Sequence, residues 1–257
     1  GDHRDLHSFP TRRSSDLARD PRWGRNEESY GEDPYLTSEI GAKSVEGMQG
    51  EDAKYLKTIA TLKHFAANNC EGERQTGTSV MTEKTFREYY TRTFKDIVES
   101  SNPASVMSSY NALTISRNGE VFSDYIASSA NKYLLTDLLR RTWGFSGYVV
   151  GDCGAWENLF GRQSMRQNLF PDWNLDDITA PMAVSKAFNA GNNLDCGSRA
   201  QGSTFESVEQ GWMSEETLDV AVYSLFLARM KTGEFDSNVE YQKIESRSEE
   251  HTSELQS

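Results

Sequence analysis

Residues 144–156 read GFSGYVVGDCGAW, and this stretch decides how the rest of the chain is interpreted. Its apolar run, Tyr148 to Val150, is typical of a buried strand and leads directly into a single carboxylate, Asp152. Small residues on either side leave space around that carboxylate. The stretch predicts a strand over 147–152 that delivers an acidic side chain to its carboxyl end, with room for a ligand beside it.

Segments of strand and helix character alternate along the whole chain. Strands are predicted over 58–65, 104–111, 147–152 and 193–196, and helices over 35–49, 83–100, 128–142, 176–190, 203–210 and 214–232. The segment 66–81 is predicted to be a long loop, and 157–175 shows no clear period. This alternation is typical of an α/β barrel, in which functional side chains lie at the carboxyl ends of parallel strands.

The expected fold is therefore an incomplete (β/α)8 TIM-type barrel, because only four or five strands are convincing where a full barrel has eight. We expect its first strands to be missing upstream of Ala18. A doubly wound sheet is the alternative. It usually carries a glycine-rich phosphate turn, and neither GxGxxG nor GxxxxGK[ST] occurs here.

The composition is that of a water-soluble chain with an acidic surface. The 257 residues carry a formal net charge of -12, which argues against nucleic-acid and anionic-membrane partners. Cys70, Cys153 and Cys196 have no metal-like spacing and are expected to be free thiols or small buried residues. Free thiols favour a cytoplasmic location, although the sequence leaves the localisation open.

Both ends of the chain differ from the middle. Residues 1–17 and 247–257 have no periodicity and resemble in-frame translations of sequencing-library adapters. We therefore expect non-native tails at 1–17 and 247–257, a partial barrel domain over 18–235 and the start of a linker over 236–246. His64 is then the only histidine outside the tails, so a metal site is not expected, and no cofactor is expected either.

The candidate functional residues collect at predicted strand ends and in the loops around them. Each also has a purely structural explanation: Arg25 could pair with nearby acids, Arg74 with Glu71, and Trp156 could pack beneath a loop. Asp152 between small residues is the hardest to explain structurally. If Lys63 and His64 converge on it, their positive charge would hold it ionised, as a nucleophile or base requires. Asp195 could hydrogen-bond the loop backbone. The candidates are Arg25, Lys63, His64, Glu71, Arg74, Met107, Tyr110, Asp152, Trp156 and Asp195.

Several segments in the same order resemble family 3 of the glycoside hydrolases, the retaining β-glucosidases and β-xylosidases. They are DPRWGRNEESYGEDP (20–34), TLKHFAANN (61–69), VMSSYN (106–111), GFSGYVVGDCGA (144–155), AGNNLDCG (190–197) and ARMKTGEFD (228–236). Two positions depart from the usual pattern. The family more often has Ser at position 151, and many of its β-glucosidases have Trp where Cys153 stands, while many xylosidase-like members have Cys.

The resemblance implies an exo-acting β-glycosidase acting on small β-linked oligosaccharides or glycosides, with Asp152 as the nucleophile. It implies that Arg25, Lys63, His64 and Arg74 bind sugar hydroxyls and that Met107 and Tyr110 shape the pocket. Trp156 is expected to offer a stacking face.

It also implies that the acid/base is a Glu of a second, α/β-sandwich domain outside this chain, so the isolated fragment is expected to be inactive. A β-glucosidase is expected first and a β-xylosidase as a close second. A non-catalytic sugar-binding barrel module is the alternative.

Overall fold

The computed structural model describes residues 15–161, 168–237 and 239. In chain order the strands are β1 (Thr61–Phe65), β2 (Thr78–Thr82), β3 (Ser105–Ser108), β4 (Ala112–Arg117), β5 (Glu120–Ala127), β6 (Tyr148–Gly151) and β7 (Leu194–Asp195). The helices are α1 (Pro34–Gln49), α2 (Glu83–Thr85), α3 (Arg92–Ser101), α4 (Asn158–Gly161), α5 (Ala180–Ala190), α6 (Arg199–Glu209) and α7 (Glu215–Lys231), with π-helical segments at Phe86–Tyr90 and Tyr133–Thr142.

Four parallel strands form the sheet that carries the candidate residues. Their order is β1-β3-β6-β7, and Val106 of β3 lies opposite Val149 of β6, while Gly151 lies opposite Asp195 of β7. Because the strands run in the same direction, their carboxyl ends meet at one edge of the sheet. The residues that follow β1, β3 and β6 therefore share that edge, as the sequence predicted.

The two faces of this sheet pack against different helices. Val149 packs in the main core with the helices that connect the strands, whereas Tyr148 and Val150 point to the opposite face and contact Ala228 of α7. Side chains alternate between faces along a strand, so β6 is buried on both sides. That burial explains the continuous apolar run in its sequence.

Helix starts follow the capping signals in the sequence. The Asp33 carboxylate accepts a hydrogen bond from the backbone N–H of Leu36 at 2.7 Å, and Pro34 occupies the first turn of α1. Thr82 caps α2 in the same way. The helix predicted over 83–100 is interrupted, because Thr91 closes a π-helical turn by donating its hydroxyl to the carbonyl of Phe86 at 2.9 Å.

A second sheet of three strands, β2-β4-β5, was not predicted. β2 pairs in parallel with β4, and β4 and β5 form an antiparallel hairpin across the Asn118-Gly119 turn. The prediction of a long loop over 66–81 was therefore wrong for residues 78–81. Among the described residues, no helix is both long and apolar enough to cross a membrane.

Ser15, Asp16 and Leu17 are buried, although they belong to the segment that resembles an adapter translation. The Ser15 N–H donates to the carbonyl of Lys63 at 2.8 Å, which places this segment along the edge of β1. We propose that Ser15, Asp16 and Leu17 belong to the folded domain, whereas the predicted boundary assigned them to the non-native tail. The rest of the predicted tails, 1–14 and 247–257, lies outside the described residues, as do residues 238 and 240–246 of the predicted linker.

Candidate active site

Asp152 lies directly after β6, at the carboxyl end of the parallel sheet. Its backbone N–H donates to the carbonyl of Ser108 at 3.0 Å, which extends the pairing with β3 by one residue. Its Oδ1 accepts from the N–H of Cys153 at 2.8 Å, and Oδ2 lies 3.6 Å from Nε2 of His64. The side chain is thus oriented by two neighbouring strands and only slightly exposed to solvent.

His64 lies on β1, and its ring is the side chain of the Lys63-His64 pair that reaches Asp152. Its ring is buried, with Nδ1 at 2.7 Å from Asp16 Oδ2 and Nε2 at 3.2 Å from Arg25 Nη2. The same Asp16 oxygen accepts from the His64 backbone N–H at 3.0 Å. The imidazole is therefore held on both sides, with one edge facing Asp152.

Arg25 and Lys63 share one carboxylate, that of Glu28. Arg25 donates to both Glu28 oxygens at 2.8 and 2.9 Å, and Lys63 Nζ lies 3.4 Å from Glu28 Oε2. The Arg25 hydrogen bonds, with the nearby Lys63 charge, lower the pKa of Glu28, while the bond to Glu28 raises the pKa of Arg25. Lys63 therefore pairs with Glu28, and the expected convergence on Asp152 is made by His64.

A second acidic residue, Glu71, holds the other arginine. Arg74 Nη1 lies 3.1 Å from Glu71 Oε2, and the Arg74 guanidinium lies over the ring of Tyr110, 4.8 Å from its centroid. Glu71 also accepts from the indole N–H of Trp23 at 3.3 Å and lies 3.8 Å from Arg25 Nη1. Two carboxylates thus link the three cationic candidates into one network.

Tyr110 contacts the loop that carries the nucleophile candidate. Its hydroxyl donates to the carbonyl of Cys153, the residue after Asp152. Burial, together with the nearby Asp152 charge, raises the pKa of Tyr110, so the phenol stays protonated and acts as a donor. Met107 pairs with Val150 across β3 and β6 and packs on the face that carries Tyr148.

A buried polar layer beneath the strand ends fixes their relative positions. Ser108 Oγ lies 3.1 Å from Ser129 Oγ and 3.3 Å from Asn192 Oδ1. Asn192 donates to the Ser129 carbonyl, and Asn111 donates to the Ala66 carbonyl at 3.2 Å. Buried hydrogen-bond networks of this kind favour one arrangement, because breaking one of these bonds leaves a buried polar group unpaired.

Trp156 does not offer the stacking face that the sequence suggested. Its ring is 1% exposed and packs edge-on against Phe188 at 5.0 Å between centroids. It also explains Gly151: a Cβ there would overlap the indole Nε1 and stand 2.7 Å from its Cδ1. Trp156 is therefore a core residue beneath the site, in line with its alternative structural explanation.

Cys153 and Cys196 form a disulfide, so the expectation of free thiols was wrong for these two residues. β6 and β7 are parallel neighbours, which brings the two Cα atoms to 4.3 Å despite 43 residues of separation. Cys70 is free and exposed. The preference for a cytoplasmic location rested on free thiols and loses that support.

The arrangement is a carboxylate at the end of a parallel strand, surrounded by hydrogen-bond donors that are themselves paired with acids. Asp195, at the end of β7, accepts from the N–H groups of Arg199 and Ala200 at 3.0 and 3.1 Å and caps α6. Among the described residues, no three metal-ligating side chains come together as a possible ion site. The Asp152 carboxylate, with the hydrogen-bond donors around it, suits nucleophilic or acid–base hydrolysis of a hydroxyl-rich substrate.

Comparison with known proteins identifies the chain as part of a glycoside hydrolase. Residues 14–225 match the family described as "Glycosyl hydrolase family 3 N terminal domain". The chain belongs to glycoside hydrolase family 3, and its fold is the TIM-type α/β barrel of that family's N-terminal domain, here incomplete.

The similar proteins are xylosidases and glucosidases. The chain is 36% identical over 234 residues to a xylan 1,4-beta-xylosidase of Xylanibacter ruminicola, covering 89% of this chain and 25% of that one. It is 34% identical to beta-xylosidase/alpha-L-arabinofuranosidase 2 of Medicago sativa over 86% of this chain and 27% of that one. The chain therefore spans about a quarter of the length of these relatives.

Two solved structures show the same fold. The exo-beta-xylosidase XlnD, in complex with a xylobiose aziridine probe, has a TM-score of 0.78 and 32% identity, covering 90% of this chain and 28% of that one. Beta-glucosidase 3B from Thermotoga neapolitana has a TM-score of 0.66 and 30% identity, covering 86% of this chain and 27% of that one. Family membership and hydrolase class thus agree with the resemblance noted in the sequence.

The sequence reasoning assigned no role in the site to three acidic residues of the network. Glu28 was considered only as a local partner of Arg25, and Glu71 was named as a candidate but received no role beyond local pairing with Arg74. The i,i+3 spacing of Arg25 and Glu28 was the available signal for a fixed guanidinium. Asp16 was missed because its surroundings resemble an adapter translation.

Proposed function

We propose that this chain carries the nucleophile half of a retaining β-glycosidase active site. Asp152 attacks the anomeric carbon of a β-linked sugar and forms a covalent glycosyl–Asp intermediate, which water then hydrolyses. The observation that carries the proposal is the position of the Asp152 carboxylate at the end of β6, 3.6 Å from His64 Nε2 and within a chain of family 3.

The surrounding donors fit the sugar hydroxyls. Arg25, Lys63 and Arg74 supply N–H groups and His64 a ring nitrogen, and their acidic partners hold them in place before the substrate arrives. Donors fixed in advance need no reorganisation during the reaction, which is how enzymes make such contacts effective. Met107 and Tyr110 line the same strand ends and complete the proposed sugar pocket.

The general acid in this proposal comes from outside the chain. A retaining mechanism needs two carboxyl groups about 5–5.5 Å apart. Glu28 is tied to Arg25 and Lys63 with a lowered pKa, so it is a poor proton donor. The chain spans about a quarter of its relatives, and we propose that a C-terminal domain supplies the second carboxyl group. The isolated chain then cleaves natural disaccharides about 10²–10⁴-fold more slowly than the complete enzyme.

A β-xyloside is the better first substrate to test. The relatives named above include xylosidases from a bacterium and a plant, and XlnD has a higher TM-score than the Thermotoga β-glucosidase. Cys153 after the nucleophile agrees with the xylosidase-like pattern. This reverses the order expected from the sequence and keeps a β-glucoside as the second candidate.

The test uses an activated sugar that needs no general acid. The chain is incubated with 2,4-dinitrophenyl 2-deoxy-2-fluoro-β-xyloside or the matching glucoside, and intact mass and peptide mapping locate any adduct. We expect a covalent adduct on Asp152, faster with the xyloside, and none in Asp152→Asn. Asp195→Asn is the matched control, since it changes the neighbouring strand end and keeps a helix cap.

The other outcomes separate the alternatives. Reversible binding without an adduct would indicate the non-catalytic sugar-binding module. An adduct on another residue, or none with a folded chain that also fails to bind, would refute the assignment of Asp152. A faster reaction with the glucoside would restore the order expected from the sequence.

A further inference from the structure

Asp16 and His64 form a buried pair beside Asp152. Their side chains are 1% and 2% exposed, and one Asp16 oxygen, Oδ2, accepts two hydrogen bonds from the same residue. It accepts from the ring Nδ1–H of His64 at 2.7 Å and from its backbone N–H at 3.0 Å. A single carboxylate oxygen thus fixes both the main chain and the ring of His64.

The chemistry of this contact decides which ring nitrogen carries the proton. A carboxylate only accepts hydrogen bonds, so Nδ1 of His64 must donate. Arg25 Nη2 lies 3.2 Å from Nε2, and a guanidinium only donates. The Asp152 oxygen Oδ2 lies 3.6 Å from the same nitrogen, beyond hydrogen-bond distance, so the closer Arg25 contact decides. Nε2 must then present its lone pair to Arg25, because a proton on Nε2 would face the Arg25 N–H at 3.2 Å.

We infer that Asp16 is a positioning residue that holds His64 in its Nδ1–H tautomer, with the Nε2 lone pair directed to Arg25 and the ring edge toward Asp152. This inference rests on the proposed role of Asp152 for its catalytic consequence, but the tautomer follows from the contacts alone. Without Asp16, the imidazole is free to place its proton on Nε2, and Arg25 then loses the His64 nitrogen as an acceptor and keeps only its carboxylate partners. The donors around Asp152 are then displaced.

Asp16 and His64 form this pair in the present chain, even though Asp16 lies in the segment that resembles an adapter translation. We take its contribution to be of the size seen for carboxylates that orient metal-binding histidines, whose removal costs about 10–100-fold in affinity or activity. We expect the rate of Asp152 labelling to fall by that factor when position 16 can no longer accept a hydrogen bond.

The experiment measures the tautomer and the labelling separately in the complete 257-residue chain. Imidazole ¹⁵N shifts of ¹⁵N-histidine protein report the protonated nitrogen, and His64→Gln identifies the His64 signal. Wild-type His64 should show Nδ1–H without any sugar present. Asp16→Leu should lose that signature and label about 10–100-fold more slowly with the 2-fluoro xyloside. Asp16→Asn, which keeps an acceptor oxygen, should retain the tautomer and most of the rate.

Asp20→Asn is the matched control, since Asp20 is an exposed acid of the following loop that pairs with Arg22. It should change neither measurement. An Nε2–H tautomer in the wild-type chain would overturn the inference even if Asp16→Leu fails to fold. A folded Asp16→Leu that keeps Nδ1–H, or labels at the wild-type rate, would also overturn it. If the wild-type chain shows Nδ1–H but Asp152 is never labelled, the proposed function fails and the tautomer assignment stands.

Discussion

Loss of the Cys153–Cys196 disulfide should cost the chain much of its stability. The bond joins residues 43 positions apart, so it restricts a long loop in the unfolded chain. The loop-entropy relation gives about 13 cal/mol/K for this length, or about 4 kcal/mol at 25 °C. The double change Cys153→Ala and Cys196→Ala should therefore lower the urea midpoint by roughly 1.5 M, since m for a chain of this size is about 2–3 kcal/mol/M.

The assay combines urea unfolding with thiol counting. Alkylation of the folded chain without reductant should add one group, at Cys70, which is free and exposed. Reduction in denaturant should raise the count to the three cysteines of the sequence. Cys70→Ala is the control and should leave the urea midpoint unchanged. Alkylation of Cys153 or Cys196 without reductant, or a double variant as stable as the wild type, would refute this reasoning.

Two further substitutions test the packing and the electrostatics of the fold. Gly151→Ser introduces the residue more usual in the family and should destabilise the chain by about 1–3 kcal/mol, because its Cβ would overlap Trp156. Thermal melts should show partial recovery of stability when Trp156→Leu is added. Hydrogen bonds, above all from Arg117, lower the pKa of Glu83 to about 2, so its stabilisation is complete above pH 4.5 and is lost as pH falls toward 2. In urea titrations, the loss in free energy of unfolding between pH 7 and pH 3 should be about 1–2 kcal/mol smaller for Glu83→Gln than for the wild type. Glu88→Gln, at an exposed position, should lose as much as the wild type.

The position of Asp152 could be predicted from the sequence because the signal for it is local. The apolar run Tyr148 to Val150 is read directly as a strand buried on both faces, and the residue after it must lie at the strand end. The same holds for Lys63 and His64 on β1. Parallel pairing then brings these ends to one edge of the sheet without any further information.

The features that the sequence reasoning missed depend on contacts between distant segments. Cys153 and Cys196 are 43 residues apart, and only the pairing of β6 with β7 brings them together. Spacing cannot reveal such a bond. The burial of the Trp156 ring could not be predicted either, since an aromatic residue after a glycine-rich turn fits a stacking face or a core position equally well. Gly151 was the available signal, because a ring packed on the backbone at that position leaves no space for a side chain.

The charge balance of the site supports a neutral, hydroxyl-rich substrate. Besides His64, the network contains three cations and four carboxylates, which together carry a net charge of about -1 at ordinary pH. Its members are Arg25, Lys63, Arg74, Asp16, Glu28, Glu71 and Asp152. Each cation already has a carboxylate partner, so an anionic ligand would have to compete with Glu28 and Glu71 for its contacts. In the proposed reaction, a sugar shares the remaining N–H groups, and the excess negative charge stabilises the positive charge that develops on its anomeric carbon in the transition state.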